Sequence, residues 1–259
     1  MTNSSGRRSA MVTRVPSKPL VVFHTLRPMH PYFAAIALTV ACAPVTLPPP
    51  AVEPKSVAVD AAKEKADGFV ALFNNTALDG WTGDTKGYKV ETLKDGAAIV
   101  CQPNGTNLYT KDEFADFEFR FEFQLAPGAN NGIALRSPNE GDPAYVGFEC
   151  QVLDNTAEQY KGLERWQYHG SIYGIAAATA TALKPVGEWN QETITMKGPK
   201  VKVELNGVVI IDIDLDKVAP DGKTVSGHKV DGLTRKTGHL GFCGHGDRVA
   251  FKNLRVKRI

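Results

Sequence analysis

Cysteine is scarce in this chain of 259 residues: four in all, at Cys42, Cys101, Cys150 and Cys243. Cys42 lies in an N-terminal segment of different character, and the three that remain are an odd number, so at least one thiol stays unpaired. Strand alternation turns Cys150 inward and Cys243 to the open face, so no disulfide framework is expected. An excess of one sign of charge is lacking too. Lys plus Arg number 30 against 28 Asp plus Glu, a net +2, and no basic run interleaves with aromatics, which sets nucleic acid aside as a partner. Helical periodicity of useful length is absent, as is any internal repeat. What the chain does have is 24 Gly, 16 Pro and many short apolar runs, the composition of a turn-rich all-β protein.

Residues 1–42 read as an export segment. Arg27 precedes the apolar stretch Pro31–Val40 (PYFAAIALTV), too short to span a bilayer and followed by the small residues Ala41 and Cys42. Leu38–Cys42 (LTVAC) resembles a bacterial lipobox, with Thr39 where Leu is usual, which makes Cys42 a candidate lipid anchor and the only membrane attachment expected. A cleaved signal without lipid is the competing reading. Residues 43–67, with Pro48–Pro50 and a Lys/Glu/Ala run, cannot bury a core and read as a semi-extended linker. The expected location is therefore the periplasm or the cell envelope.

Residues 68–259 read as one β domain of a size that can bury a core. Phe117–Leu125 (FEFRFEFQL) alternates throughout, with Phe117, Phe119, Phe121, Phe123 and Leu125 on one face. Asp95–Gly96 and Asn206–Gly207 are hairpin turns. Tyr145–Asn155 (YVGFECQVLDN) is the strand of most interest. Phe148, Cys150 and Val152 share a core face, while Glu149 and Gln151 share the other, where an acid beside an amide belongs in a polar groove rather than a core. Arg136 is placed on that open face with Ala134.

These blocks resemble the 3-keto-disaccharide hydrolase domain family. The resemblance spans 68–259 and rests on GFVALFNNTALDGW, DFEFRFEFQLAPGANNGIALR, FECQVLDN, HGSIYG, ALKPVGEWN and GHLGFCGHGD with FKNLRVK. It implies a concanavalin A-like jelly roll, a β-sandwich of two curved antiparallel sheets. The family pattern commonly has Gln where this chain has Cys243. Lectin and glucanase relatives of the fold carry Glu-x-Asp-x-Glu on one strand, whereas the matching positions here are Glu149, Gln151 and Leu153. The second carboxylate is missing unless a bulge brings Asp154 round, so two-acid glycoside hydrolysis is disfavoured.

A glycoside already oxidised at carbon 3 needs less. The ketone acidifies the neighbouring C–H, one base removes that proton, the glycosidic oxygen leaves by elimination and water adds to the enone. In this reading Glu149 serves as base or as ligand of an electrophilic cation, His245 as acid or base, and Arg136 holds the enolate charge. Gln151, Asp154 and His169 orient the sugar, and Trp166 and Tyr173 offer faces for its ring. Competing structural readings are an Arg136–Glu149 salt bridge, a His245 that only shapes a Gly-rich turn, and aromatics that only pack. Asp154 and Asp247 offer oxygen ligands, yet no Asp-rich loop surrounds them, and neither a metal nor a cofactor is expected. A separate sugar oxidoreductase would supply the ketone. The rival function is a non-catalytic, lectin-like carbohydrate-binding domain tethered to the envelope.

Overall fold

The strongly alternating segment Phe117–Leu125 lies at the heart of the fold. In the computed structural model, which describes residues 47–55 and 59–259, it is one of thirteen strands. In chain order these are β1 (Val70–Ala71), β2 (Trp81–Gly83), β3 (Tyr88–Leu93), β4 (Gly96–Cys101), β5 (Asn107–Phe114), β6 (Phe117–Leu125) and β7 (Asn130–Ser137). Then come β8 (Phe148–Leu153), β9 (Trp189–Lys197), β10 (Lys200–Leu205), β11 (Val208–Asp214), β12 (Gly238–Cys243) and β13 (Val249–Arg258).

They form two antiparallel sheets. One has eight strands in the order β11-β10-β9-β6-β13-β4-β3, with β1 also on β13. The other has five, β2-β5-β12-β7-β8. The fold is an all-β jelly-roll sandwich. The inward face of β6 supplies the core predicted from its alternation: Phe117, Phe119, Phe121 and Phe123 are all buried. From the facing sheet Phe242 stacks on Phe251 with ring centroids 3.9 Å apart, and Trp81 stacks on Phe242 at 5.2 Å. Cys101, Cys150 and Cys243 are free, buried thiols.

The export segment 1–42, with Cys42, lies outside the described residues. The described part of the expected linker is docked rather than free. Val52 N–H donates to Thr181 O (2.7 Å) and Lys55 N–H to Asn206 O (2.8 Å). A short helix, α1 (Ala61–Ala66), is capped by Asp60 and places Glu64 between Arg120 and Arg255. Among its described residues, paired carboxylate and guanidinium groups attach this stretch to the sandwich. Among the described residues no helix is long and apolar enough to cross a membrane.

Candidate active site

Alternation on β8 sends Phe148, Cys150 and Val152 into the core and turns Glu149 and Gln151 to the opposite face. Glu149 pairs across the sheet with Ala134 and lies over Gly132. A methyl group on Gly132 would sit 1.9 Å from Glu149 Oε1, so the carboxyl occupies space that only a glycine leaves free. Glu149 and Gln151 are each only 5 % exposed, at the bottom of a hollow of about 110 Å³.

This hollow brings together four residues predicted from the sequence: Glu149, Gln151, Tyr173 and His245. His245 is exposed on the rim, in the loop after β12 rather than on the strand itself. Tyr173 belongs to the segment that runs along the outer edge of β8. Gln151 N–H donates to Ser171 O (3.0 Å), Gly170 N–H to Gln151 O (2.8 Å) and Tyr173 N–H to Glu149 O (2.9 Å). The Tyr173 hydroxyl accepts from Gln167 Nε2 at 3.1 Å. Trp166 meets Tyr173 edge-on at 4.9 Å, so it backs the wall of the hollow and does not line it.

Electrostatics single out Glu149. Burial pushes its carboxyl up from 4.5 to about 8, Asp142 adds the repulsion of a like charge, and the Cys243 thiol pulls the other way. Its Oε1 has no hydrogen-bond partner. Cys243 lies on this outer face, in a small cluster with Tyr109 and Ala134. A buried carboxyl with one oxygen unpartnered among the described residues, holding its proton to near-neutral pH, is suited to proton transfer.

Three predicted site residues are elsewhere. Arg136 was placed beside Ala134 by simple alternation, but β7 bulges there. Ser137 faces His239 and Ala134 faces Gly241, so Leu135 and Arg136 together oppose Leu240, and Arg136 adopts φ 44°. The bulge redirects the side chain to neighbouring turns. Its Nε donates to Ala115 O (2.7 Å), Nη1 to Gly198 O (2.9 Å) and Nη2 to the Asp116 carboxylate (2.9 Å). Arg136 is thus a structural staple. Arg136→Met will remove the guanidinium donor from the Ala115 and Gly198 carbonyls and leave Asp116 Oδ1 with the Gly198 N–H, at a cost of about 2–4 kcal/mol. A thermal melt should show this as a fall of roughly 5–10 °C in Tm.

His169 is fully buried between the sheets, its ring 5.1 Å from that of Phe123. Leu153 N–H donates to its Nδ1 (3.4 Å), which places the ring proton on Nε2, 3.1 Å from Glu192 Oε2. It cannot reach a sugar. Asp154 closes a turn: its Oδ1 accepts from Thr156 N–H (2.9 Å) and hydroxyl (2.6 Å), and its Oδ2 from Gly128 N–H (2.8 Å). No bulge carries it to the Glu149 row.

Asn130, Asp142 and Tyr145 line the hollow without having been predicted. Asp142 caps the single-turn helix α2 (Pro143–Val146), its Oδ1 accepting from Ala144 N–H at 3.0 Å. The sequence signal was GDPAYV, an N-cap Asp followed by Pro at the first helical position. Burial, then Tyr173, Asp142 and Glu149, push the Tyr145 hydroxyl up, so it remains a proton donor. Larger hollows exist, such as one of about 360 Å³ on the outer face of the eight-stranded sheet, but Glu64, Arg120 and Arg255 that line it are paired with one another. Among the described residues no group of three or more His, Cys, Asp or Glu is arranged to hold a metal ion.

A 3-keto-disaccharide hydrolase from Bacteroides thetaiotaomicron is 25 % identical over 228 residues, covering 74 % of this chain and 79 % of its own. A candidate glycosyl hydrolase from Parabacteroides distasonis, solved as a crystal structure, is 28 % identical with a TM-score of 0.65, over 78 % of this chain and 98 % of its own. A second from the same organism, 23 % identical with a TM-score of 0.64, covers 74 % and 99 % and bears on the fold alone. The model of the 3-keto-alpha-glucoside-1,2-lyase-like domain matches residues 68–257, and the chain belongs to that family.

Proposed function

We propose that the chain cleaves glycosides carrying a ketone at carbon 3 of the sugar, by base-assisted elimination followed by hydration. The observation that carries this reading is the Glu149 carboxyl: buried, unpartnered at Oε1 and pushed up to about 8 in a hollow also lined by His245. A carboxylate that gives up its proton only near pH 8 is a stronger base than an ordinary one, as removal of a C–H proton beside a ketone requires.

Glu149 takes the proton from carbon 2, and the electrons pass to the ketone oxygen as an enolate. Collapse of the enolate restores the ketone, forms a double bond between carbons 1 and 2, and breaks the bond from carbon 1 to the glycosidic oxygen. His245 on the rim donates a proton to that oxygen, and water then adds to carbon 1 while carbon 2 regains a proton. With Arg136 engaged elsewhere, the Tyr145 hydroxyl is the neutral donor available to the enolate oxygen. The same reading keeps export through residues 1–42, attachment at Cys42, and a separate oxidoreductase that supplies the ketone.

The test is release of the leaving group from a chromogenic 3-keto-glucoside, with the unoxidised glucoside as control. Turnover of the keto form alone is expected, whereas sugar binding without turnover would favour the lectin-like alternative. Gly132→Ala supplies the internal check. Its methyl group displaces the Glu149 carboxyl by about an ångström or more, so kcat/KM should fall on the order of 100-fold. A Gly132→Ala enzyme with unchanged turnover would sink the assignment of Glu149.

A further inference from the structure

The Tyr145 and Tyr173 hydroxyls and His245 apart, the polar lining of the hollow is made of carboxyl and amide groups. Glu149 Oε1 and Gln151 Oε1 are buried with no hydrogen-bond partner, and so is Asn130 Oδ1. Gln151 cannot turn its amide round, because its Nε2 donates to Gln167 O at 3.3 Å. Asp142 uses Oδ1 as the cap of α2, with Oδ2 in no hydrogen bond among the described residues. Among the described residues no Lys or Arg lines the hollow, and the one lining group that can carry positive charge is His245 on its rim. The Gln151 and Asn130 amide oxygens gain partners from a guest that brings hydrogens, and a guest carboxylate or phosphate brings more lone pairs and a charge like that of Asp142 instead.

Resting on the reading of this hollow as the sugar site, we infer that it takes an uncharged or ammonium-bearing sugar unit and rejects uronates and sulfated or phosphorylated sugars, with Asp142 as the residue that sets this selectivity. Sugar hydroxyls donate to the amide oxygens of Gln151 and Asn130, and an ammonium group gains from the Asp142 charge. The titratable groups facing Glu149 are Asp142, Tyr145, Tyr173, His245 and Cys243. Glu149 becomes a second negative charge only as pH passes about 8, so rejection of anions strengthens through that range.

The experiment uses three 3-keto-glucosides with one leaving group, differing only at carbon 6 as alcohol, ammonium or carboxylate. Each is measured at low salt by kcat/KM and by calorimetric binding. The ammonium sugar should match or exceed the alcohol, and the carboxylate should fall about tenfold or more below it, since charges a few ångström apart in a partly buried site interact at that level. Asp142→Asn keeps the capping oxygen of α2 and should narrow the carboxylate gap about fivefold. Equal handling of carboxylate and alcohol, an unchanged gap in Asp142→Asn, or binding of none of the three overturns the inference. So does binding of Ca²⁺ or Mg²⁺ that sugar binding requires and Glu149→Gln abolishes, because the acceptors would then belong to a cation. Binding in the expected order without turnover keeps the selectivity and removes the cleavage reading. Turnover of all three alike does the reverse.

Discussion

Glu149→Gln will melt at a higher temperature than the native chain at pH 8.5 while losing turnover of a 3-keto-glucoside. The folded-state carboxyl is pushed up to about 8 from 4.5, so the sign follows from proton linkage. Below pH 4.5 folded and unfolded chains both hold the proton, and its favourable contribution to the fold is fully present. Between pH 4.5 and 8 the unfolded chain releases it and the folded chain does not, so stability falls as pH rises. Above 8 the folded protein carries a buried charge with no compensating cation, and the contribution is lost. Glutamine has the same shape and no charge to bury. The gain should be about 2–4 kcal/mol at pH 8.5 and shrink toward zero near pH 4.5. Melts at pH 5 and 8.5 check it: a Tm difference of the same size at both would show that the carboxyl titrates normally. A gain in stability that accompanies a loss of function is what a strained functional group predicts.

The second large effect lies behind the hollow. Glu192 is fully buried between the sheets, with His169 Nε2 3.1 Å from its Oε2 and the Cys150 thiol 3.6 Å from its Oε1. The His169 ring in turn accepts the Leu153 N–H, and the His169 backbone N–H donates to Asn155 Oδ1 at 2.9 Å. The group ties β8 and the segment carrying Tyr173 to β9. Glu192→Ala will remove the acceptor of the Cys150 thiol and the carboxyl beside the His169 ring and open a cavity, at about 3–5 kcal/mol. Tm should drop by roughly 10 °C, and hydrogen exchange at Leu153 and Gly170 should quicken more than at β6. Glu192→Gln keeps an acceptor and should lose less than half as much. If both variants melted like the native chain, the buried group would hold nothing together.

Period-two alternation made β6 legible, and it also set Glu149 and Gln151 apart from Phe148, Cys150 and Val152. It failed at Arg136, because one extra residue on β7 reverses the facing of every side chain beyond it, and no residue type in NNGIALRS announces the bulge. His169 was misread for another reason. A loop whose backbone returns along the edge of β8 can direct a ring between the sheets, and only the pairing of Gln151 with Gly170 and Ser171 reveals that course. Asp154 looked like a groove acid because it follows the strand by one residue, yet Thr156 two positions on is the pattern of a turn that consumes its carboxylate. Asp142 and Tyr145 reach the hollow from the cap and the single turn of α2, too short an element for spacing to carry facing information. Glu192 sat in plain view among alternating residues of β9, at a position whose burial the period predicts and whose charge argues against it.

β8 is the outermost strand of its sheet, and such a strand ordinarily offers a ladder of free amides and carbonyls to any passing chain. Here the backbone of residues 170–173 occupies those rungs. The stretch that shapes the cavity wall thus also closes the edge of β8 to pairing with another chain. Any change that peels this stretch away should blunt chemistry and invite polymerisation together.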